Sequence, residues 1–142
     1  MELERTIRVR TSIEKVYAYL ADFTTTTQWD PGTVLTTRVS GDGGVGTVYA
    51  NRSSLMGREN DLTYVLEELE PLTRIALRGS SKSVVAHDSL DLAADPAGTV
   101  VTYRVTFDFK GPARFLGPLL RLPLKKLGDD GAAGMKAALD RL

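Results

Sequence analysis

Between residues 33 and 109 the sequence is a run of strand-like segments joined only by tight-turn chemistry. The segments fall at 33–40, 46–54, 60–69, 74–80, 84–92 and 99–109. Between them lie Gly41-Asp42-Gly43-Gly44, Met56-Gly57, Glu70-Pro71, Ser80-Ser81 and Asp95-Pro96-Ala97-Gly98, residue types that reverse a chain. A parallel crossover needs about a dozen residues or more, so these strands must pair as antiparallel hairpins. The last strand alternates: Val101, Tyr103, Val105, Phe107 and Phe109 share one face, and Thr102, Arg104, Thr106 and Asp108 the other. The apolar set is expected to face the C-terminal helix.

The flanks complete the fold. Residues 2–10 set Leu3, Ile7 and Val9 against Glu2, Glu4, Arg8 and Arg10, a half-buried strand. Thr11 and Glu14 have the spacing of a capping box. Ile13, Val16, Tyr17 and Leu20 then recur at helical spacing in a short helix ending near Asp22. A second short helical turn is expected around Gln28-Trp29, stopped by Pro31 and Gly32. Residues 112–142 place Leu116, Leu120, Leu124, Leu127, Met135, Leu139 and Leu142 on one helical stripe.

That C-terminal stretch has irregular features. Pro118 and Pro123 interrupt it, and Asp129 and Asp130 follow Gly128 as if opening a new helix. Two helical pieces meeting near Gly128 are therefore expected, a long kinked helix overall. Gly128, Gly131 and Gly134 each cost about 1 kcal/mol of helix propensity relative to alanine, so close packing or room for a ligand must offset them. The expected class is α+β, a seven-stranded antiparallel sheet curled around the last helix, with two short helices after the first strand. The 142 residues fit one domain, 1–142, with a single core. A twisted sheet meets a helix well at its ends and less well between, and the gap tends to become an apolar cavity.

Composition narrows the chemistry. Eighteen basic and eighteen acidic side chains cancel, which argues against a nucleic-acid partner. With no cysteine and one histidine, the usual metal sites lack ligands, and none is expected. The N-terminal residues lack the apolar run of a secretory signal, and the expected location is the cytoplasm. Gly41-Asp42-Gly43-Gly44-Val45-Gly46 matches the dinucleotide fingerprint G-x-G-x-x-G, but it runs into the strand Thr47-Val48-Tyr49-Ala50 instead of a helix. Without a helix N-terminus to hold a pyrophosphate it reads as a hairpin loop, and no cofactor is expected.

Several segments resemble the START-like helix-grip superfamily (SRPBCC), and within it the polyketide cyclase/dehydrase-like proteins. They are Thr11-Ser12-Ile13-Glu14-Lys15-Val16-Tyr17, Asp22-Phe23 through Trp29-Asp30-Pro31-Gly32, Gly46-Thr47 and Glu67-Glu68-Leu69-Glu70-Pro71. Gly98-Thr99-Val100-Val101-Thr102-Tyr103 and the stretch from Leu116-Gly117-Pro118 through Met135-Lys136-Ala137-Ala138-Leu139 add to the likeness. The resemblance covers essentially the whole chain. It implies a hydrophobic cavity between sheet and last helix, and carries no universal catalytic motif.

Binding of a small hydrophobic ligand, a lipid, isoprenoid or polyketide-like molecule, is the first functional expectation. An aromatase/cyclase or dehydratase acting on a carbonyl-rich chain is the alternative, and a protein-interaction module a third. Tyr49, Tyr64 and Tyr103 offer apolar bodies with one polar tip. Arg52 could hold a carboxylate or enolate. The apolar set Val84, Ala86, Leu90 and Leu92 turns Asp88 inward and His87 outward. Trp29, Phe107, Leu120, Leu124, Gly131 and Met135 complete the candidate cavity residues. The 110–126 segment carries Lys110, Arg114, Arg121, Lys125 and Lys126 among leucines and contains no acid. Such a stretch suits transient contact with an anionic membrane surface or an acidic carrier protein, or is a solvated face beside the core stripe.

Overall fold

A computed structural model describes residues 1–142. Strand β1 (Glu2–Val9) leads into α1 (Ile13–Ala21), a 3-10 turn (Phe23–Thr25) and α2 (Thr26–Trp29). Six strands follow: β2 (Thr33–Ser40), β3 (Val48–Leu55), β4 (Arg58–Glu70), β5 (Arg74–Ser80), β6 (Val84–Asp95) and β7 (Gly98–Phe109). A 3-10 segment (Gly111–Leu116) then joins α3 (Gly117–Asp140). All seven strands form one antiparallel sheet in the order β1-β7-β6-β5-β4-β3-β2. The expected helix-grip architecture is therefore the one observed.

Local chemistry explains how the sheet turns and bends. Met56 and Gly57 both take positive φ, 53° and 77°, which matches a two-residue hairpin turn to the twist of β3 and β4. The β4–β5 register slips between Leu66 and Glu68, and β2 slips twice against β3. Such bulges bend their strands and increase local twist. Beneath the curl, one end of the concave face is filled by a core including Ile7, Val16, Leu20, Trp29, Ile75, Leu92, Val101, Met135 and Leu139.

Two local expectations need correction. Thr11 and Glu14 do not form a capping box: Ser12 is the N-cap of α1 and makes no side-chain cap bond. The Thr11 hydroxyl instead donates to the Leu139 carbonyl, and the Thr11 carbonyl accepts from the Thr99 hydroxyl. This buried threonine ties the start of α1 to the end of α3 and to β7, a tertiary demand that overrides the local motif.

Nor do two helical pieces meet at Gly128. The helix runs unbroken from Gly117 to Asp140, through Pro123 and Gly128, and the 3-10 segment ends at Leu116. Pro118 lies in the first turn, where the missing N–H costs no helix bond. Packing carries the helix past its glycines. A Cβ on Gly134 would stand 1.9 Å from the Trp29 carbonyl oxygen, so only glycine lets α3 lie this close to the end of α2. Midway along the helix Arg5 Nε donates to Asp129 Oδ1 at 2.7 Å, tying α3 to β1. No helix is long and apolar enough to cross a membrane.

Candidate functional site: a cavity between sheet and last helix

The N-terminal half of α3 stands off the sheet that its C-terminal half packs against. Between them lies a cavity of about 640 Å³. Its floor is sheet, with Asn51, Leu62, Tyr64, Asp88, Tyr103, Val105 and Phe107 pointing inward. Its roof is Leu120, Leu124, Leu127, Gly128 and Gly131, and Phe23, Thr26, Asp30 and Thr33 close one end. Exposed residues of the β3–β4 hairpin and the 3-10 segment, Met56, Arg58 and Leu116 among them, line its rim.

The polar floor is built by strand register. Asp88 pairs with Val105 across β6 and β7, and Leu90 pairs with Tyr103, so Asp88 and Tyr103 are diagonal neighbours on the inner face. Tyr103 Oη donates to Asp88 Oδ2 at 3.0 Å. The other carboxyl oxygen, Oδ1, is buried with no partner. Burial drives the Asp88 pKa up to about 7; the Tyr103 hydrogen bond opposes the rise, and the Asp30 charge adds to it. Burial also holds the Tyr64 and Tyr103 phenols well above their usual value, with Asp88 and Asp30 adding to both shifts.

Tyr64 keeps the floor low. It pairs with Gly79 across β4 and β5, and its ring lies over that glycine, where a Cβ would meet ring atoms at 2.5–2.8 Å. The ring of Phe23 packs against it at 4.7 Å between centroids. Asp30 sits beneath Gly131. Its Oδ1 accepts from the Gly32 N–H and its Oδ2 from the Thr33 hydroxyl, both at 3.0 Å. Burial raises its pKa, and these two hydrogen bonds offset part of the rise.

Seven of the candidate residues named from sequence line this cavity: Tyr64, Asp88, Tyr103, Phe107, Leu120, Leu124 and Gly131. Trp29 and Met135 instead belong to the solid core, where the Trp29 ring meets Tyr103 edge-on at 6.0 Å. Tyr49 lies behind Phe23, at 5.6 Å, and borders a separate depression with Asp22 and Arg38. Arg52 is on the outer face, exposed and bonded to Asp61 at 2.9 Å. Its placement in the cavity is corrected by simple alternation: Asn51 and Ser53 line the cavity, so the residue between them points away. His87 is exposed on the outer face and Asp88 buried, as the apolar pattern implied.

The sequence reading missed three inner residues. Asp30 looked like turn chemistry before Pro31. Asn51 is buried and bonded to Thr36 and Ser53. Arg5 shares the inner face of β1 with Leu3 and Ile7, and the alternation of that strand was the available signal.

The family model described as "Polyketide cyclase / dehydrase and lipid transport" matches residues 1–140. No curated protein matches the sequence. Among solved structures, the Zhui aromatase/cyclase from Streptomyces sp. R1128 superposes with a TM-score of 0.85 at 16% identity, over 99% of this chain and 94% of that one. A START superfamily protein from Mycobacterium smegmatis gives 0.81 at 12% identity, over 99% and 97%. The di-domain ARO/CYC BexL from the BE-7585A biosynthetic pathway gives 0.75 at 14% identity, over 99% of this chain and 50% of its own length. At such identities the likeness is one of fold.

Proposed function

Because the chain belongs to the polyketide cyclase/dehydrase and lipid transport family, we propose that it holds a small, largely apolar molecule between the sheet and α3. The polar end of that molecule sits against Asp88 and Tyr103. The observation that carries this is Asp88 Oδ1, a buried carboxyl oxygen beside the cavity with no protein partner. A buried polar atom left unpaired costs about 1–3 kcal/mol, and a ligand hydrogen bond would recover it. A neutral apolar probe, N-phenyl-1-naphthylamine, should bind the folded protein and be displaced by long-chain alcohols. In Gly131→Leu the side chain enters beside Asp30, and probe affinity should fall by about tenfold or more, with the circular dichroism unchanged. Probe binding absent from native protein, or undiminished in the folded variant, would remove the cavity as the site. Mass spectrometry of molecules released from the purified protein identifies the natural occupant.

A cyclase or dehydratase is the second reading, favoured by the convergence of Tyr64, Asp88 and Tyr103 in one cavity. Aldol ring closure needs a base beside an acidic C–H and a donor for the developing enolate. A carboxyl titrating near neutrality serves as the base, and a phenol as the donor. Incubation with a poly-β-ketone thioester should then give an ultraviolet-absorbing cyclised product with native protein and none with Asp88→Asn. Absence of product from native protein returns the function to binding alone.

The rim completes the proposal. Phe115, Leu119, Leu122 and Met56 are each about 70% exposed or more. Phe115, Leu119 and Leu122 are interleaved with Lys110, Arg114, Arg121 and Lys125, none of which forms an ion pair. Protruding apolar side chains within a basic field suit an anionic lipid surface, from which an apolar ligand would pass into the cavity. The protein should sediment with anionic phospholipid vesicles at low salt and not with neutral ones. The double variant Arg121→Glu/Lys125→Glu should abolish that sedimentation. Binding to an acidic carrier protein without vesicle binding would instead assign the rim to a protein partner.

A further inference from the structure

The deep end of the cavity is acidic, and no unpaired cation offsets it. Asp88 and Asp30 are the ionised or ionisable carboxyls of this end, with the phenols of Tyr64 and Tyr103 between β4 and β7. The basic side chains nearby are spent elsewhere or face away. Arg5, on the inner face of β1, lines the cavity beside Gly128, but its guanidinium is held by Asp129 and by the Lys125 and Glu4 carbonyls. Arg78 and His87 lie on the outer face near Glu67 and Asp108, and Arg104 pairs there with Glu2, Glu4 and Asp91. Arg58 is exposed at the rim.

Resting on the cavity function proposed above, we infer that the occupant's buried end is a neutral hydroxyl or enol, or an amine, and that carboxylate- and phosphate-ended lipids are rejected, because Asp30 and Asp88 flank this end and the one arginine of the inner face, Arg5, is already paired with Asp129. A hydroxyl suits Asp88 Oδ1 in both of its states. It donates to the carboxylate and accepts from the acid. A ligand carboxylate can pair only with the acid form, and would still meet the Asp30 charge in a poorly screened site. An amine gains from both carboxylates. The discrimination therefore comes from a like charge placed against the wrong ligand as much as from a bond offered to the right one.

The test is competition at pH 8 against N-phenyl-1-naphthylamine by three ten-carbon chains: decanol, decylamine and decanoate. Decanol and decylamine should displace the probe at concentrations about tenfold or more below decanoate. In Asp88→Asn that gap should narrow to about threefold or less, through tighter decanoate binding. Equal competition by decanoate and decanol on native protein overturns the inference while leaving the cavity function standing. So does decanoate binding that Arg58→Ala abolishes, because the head group then lies at the rim. An unchanged gap in Asp88→Asn also overturns it, since the discrimination then arises elsewhere. Failure of the probe to bind folded protein is a separate result, and removes the cavity function itself.

Discussion

Asp88→Asn should stabilise the protein above pH 7, by up to about 4 kcal/mol relative to its effect near pH 3. In the folded chain burial raises this carboxyl to about 7, whereas in the unfolded chain it titrates near 3.9. Between those values the folded state keeps a proton that the unfolded state has released. Raising the pH through that window therefore lowers stability, and the loss is complete above the folded value. Asparagine retains the shape and an oxygen that can accept from Tyr103, but carries no charge to desolvate. Urea unfolding of both proteins from pH 3 to pH 8.5 gives the difference curve, in which carboxylates common to both, such as Asp140 with its lowered pKa, cancel. A difference that does not grow with pH, or a variant less stable at pH 8, would refute the burial of an unpaired carboxyl.

Gly134→Ala should cost about 1–3 kcal/mol, while Gly131→Ala, one turn earlier on the same helix, should gain up to about 1 kcal/mol. Helix propensity alone predicts a gain at both. The surroundings decide otherwise. At Gly134 the new carbon would stand 1.9 Å from the Trp29 carbonyl oxygen and 3.2 Å from Pro31 Cδ. Both belong to the main chain or a rigid ring, and Trp29 is itself buried, so α3 must lift. At Gly131 the nearest atom is Asp30 Oδ1 at 3.6 Å, an ordinary contact. Chemical denaturation midpoints of the two variants separate the cases. Equal gains would mean that α3 does not dock on α2 as described.

These two glycines also mark the limit of what a periodic pattern conveys. Spaced three apart, Gly128, Gly131 and Gly134 presented one puzzle to the sequence and received two answers from the structure: contact with the α2 backbone at Gly134 and space beside Asp30 at Gly131. Alternation was a better guide along the strands. It placed Asp88 inward and His87 outward, and applied to β3 it would have placed Arg52 outward too, since Asn51 and Ser53 take the inner positions. Tyr49 has the inner phase but sits over the filled end of the sheet, behind Phe23, and no strand pattern tells one end of a concave face from the other.

The sequence by itself determined the hairpin order, the strand bounds to within a few residues, the faces of β7 and of the His87–Asp88 pair, and the family resemblance. The order and the bounds follow from period-two alternation and tight turns, which act over a few residues, whereas the family rests on the resemblance of particular segments, Thr11 to Tyr17 and Gly98 to Tyr103 among them. The tertiary structure decided the rest. It chose Thr11 as a tie to α3 instead of a cap, carried the last helix unbroken past Gly128, and brought Asp30 from a loop into the same cavity as Asp88 on β6. It also sorted Trp29 and Met135 into the core and Tyr64 and Tyr103 onto the cavity floor. Each of these outcomes depends on how closely α3 approaches the sheet. That distance is set by contacts between residues far apart in the chain, such as Arg5 with Asp129 and Trp29 with Gly134.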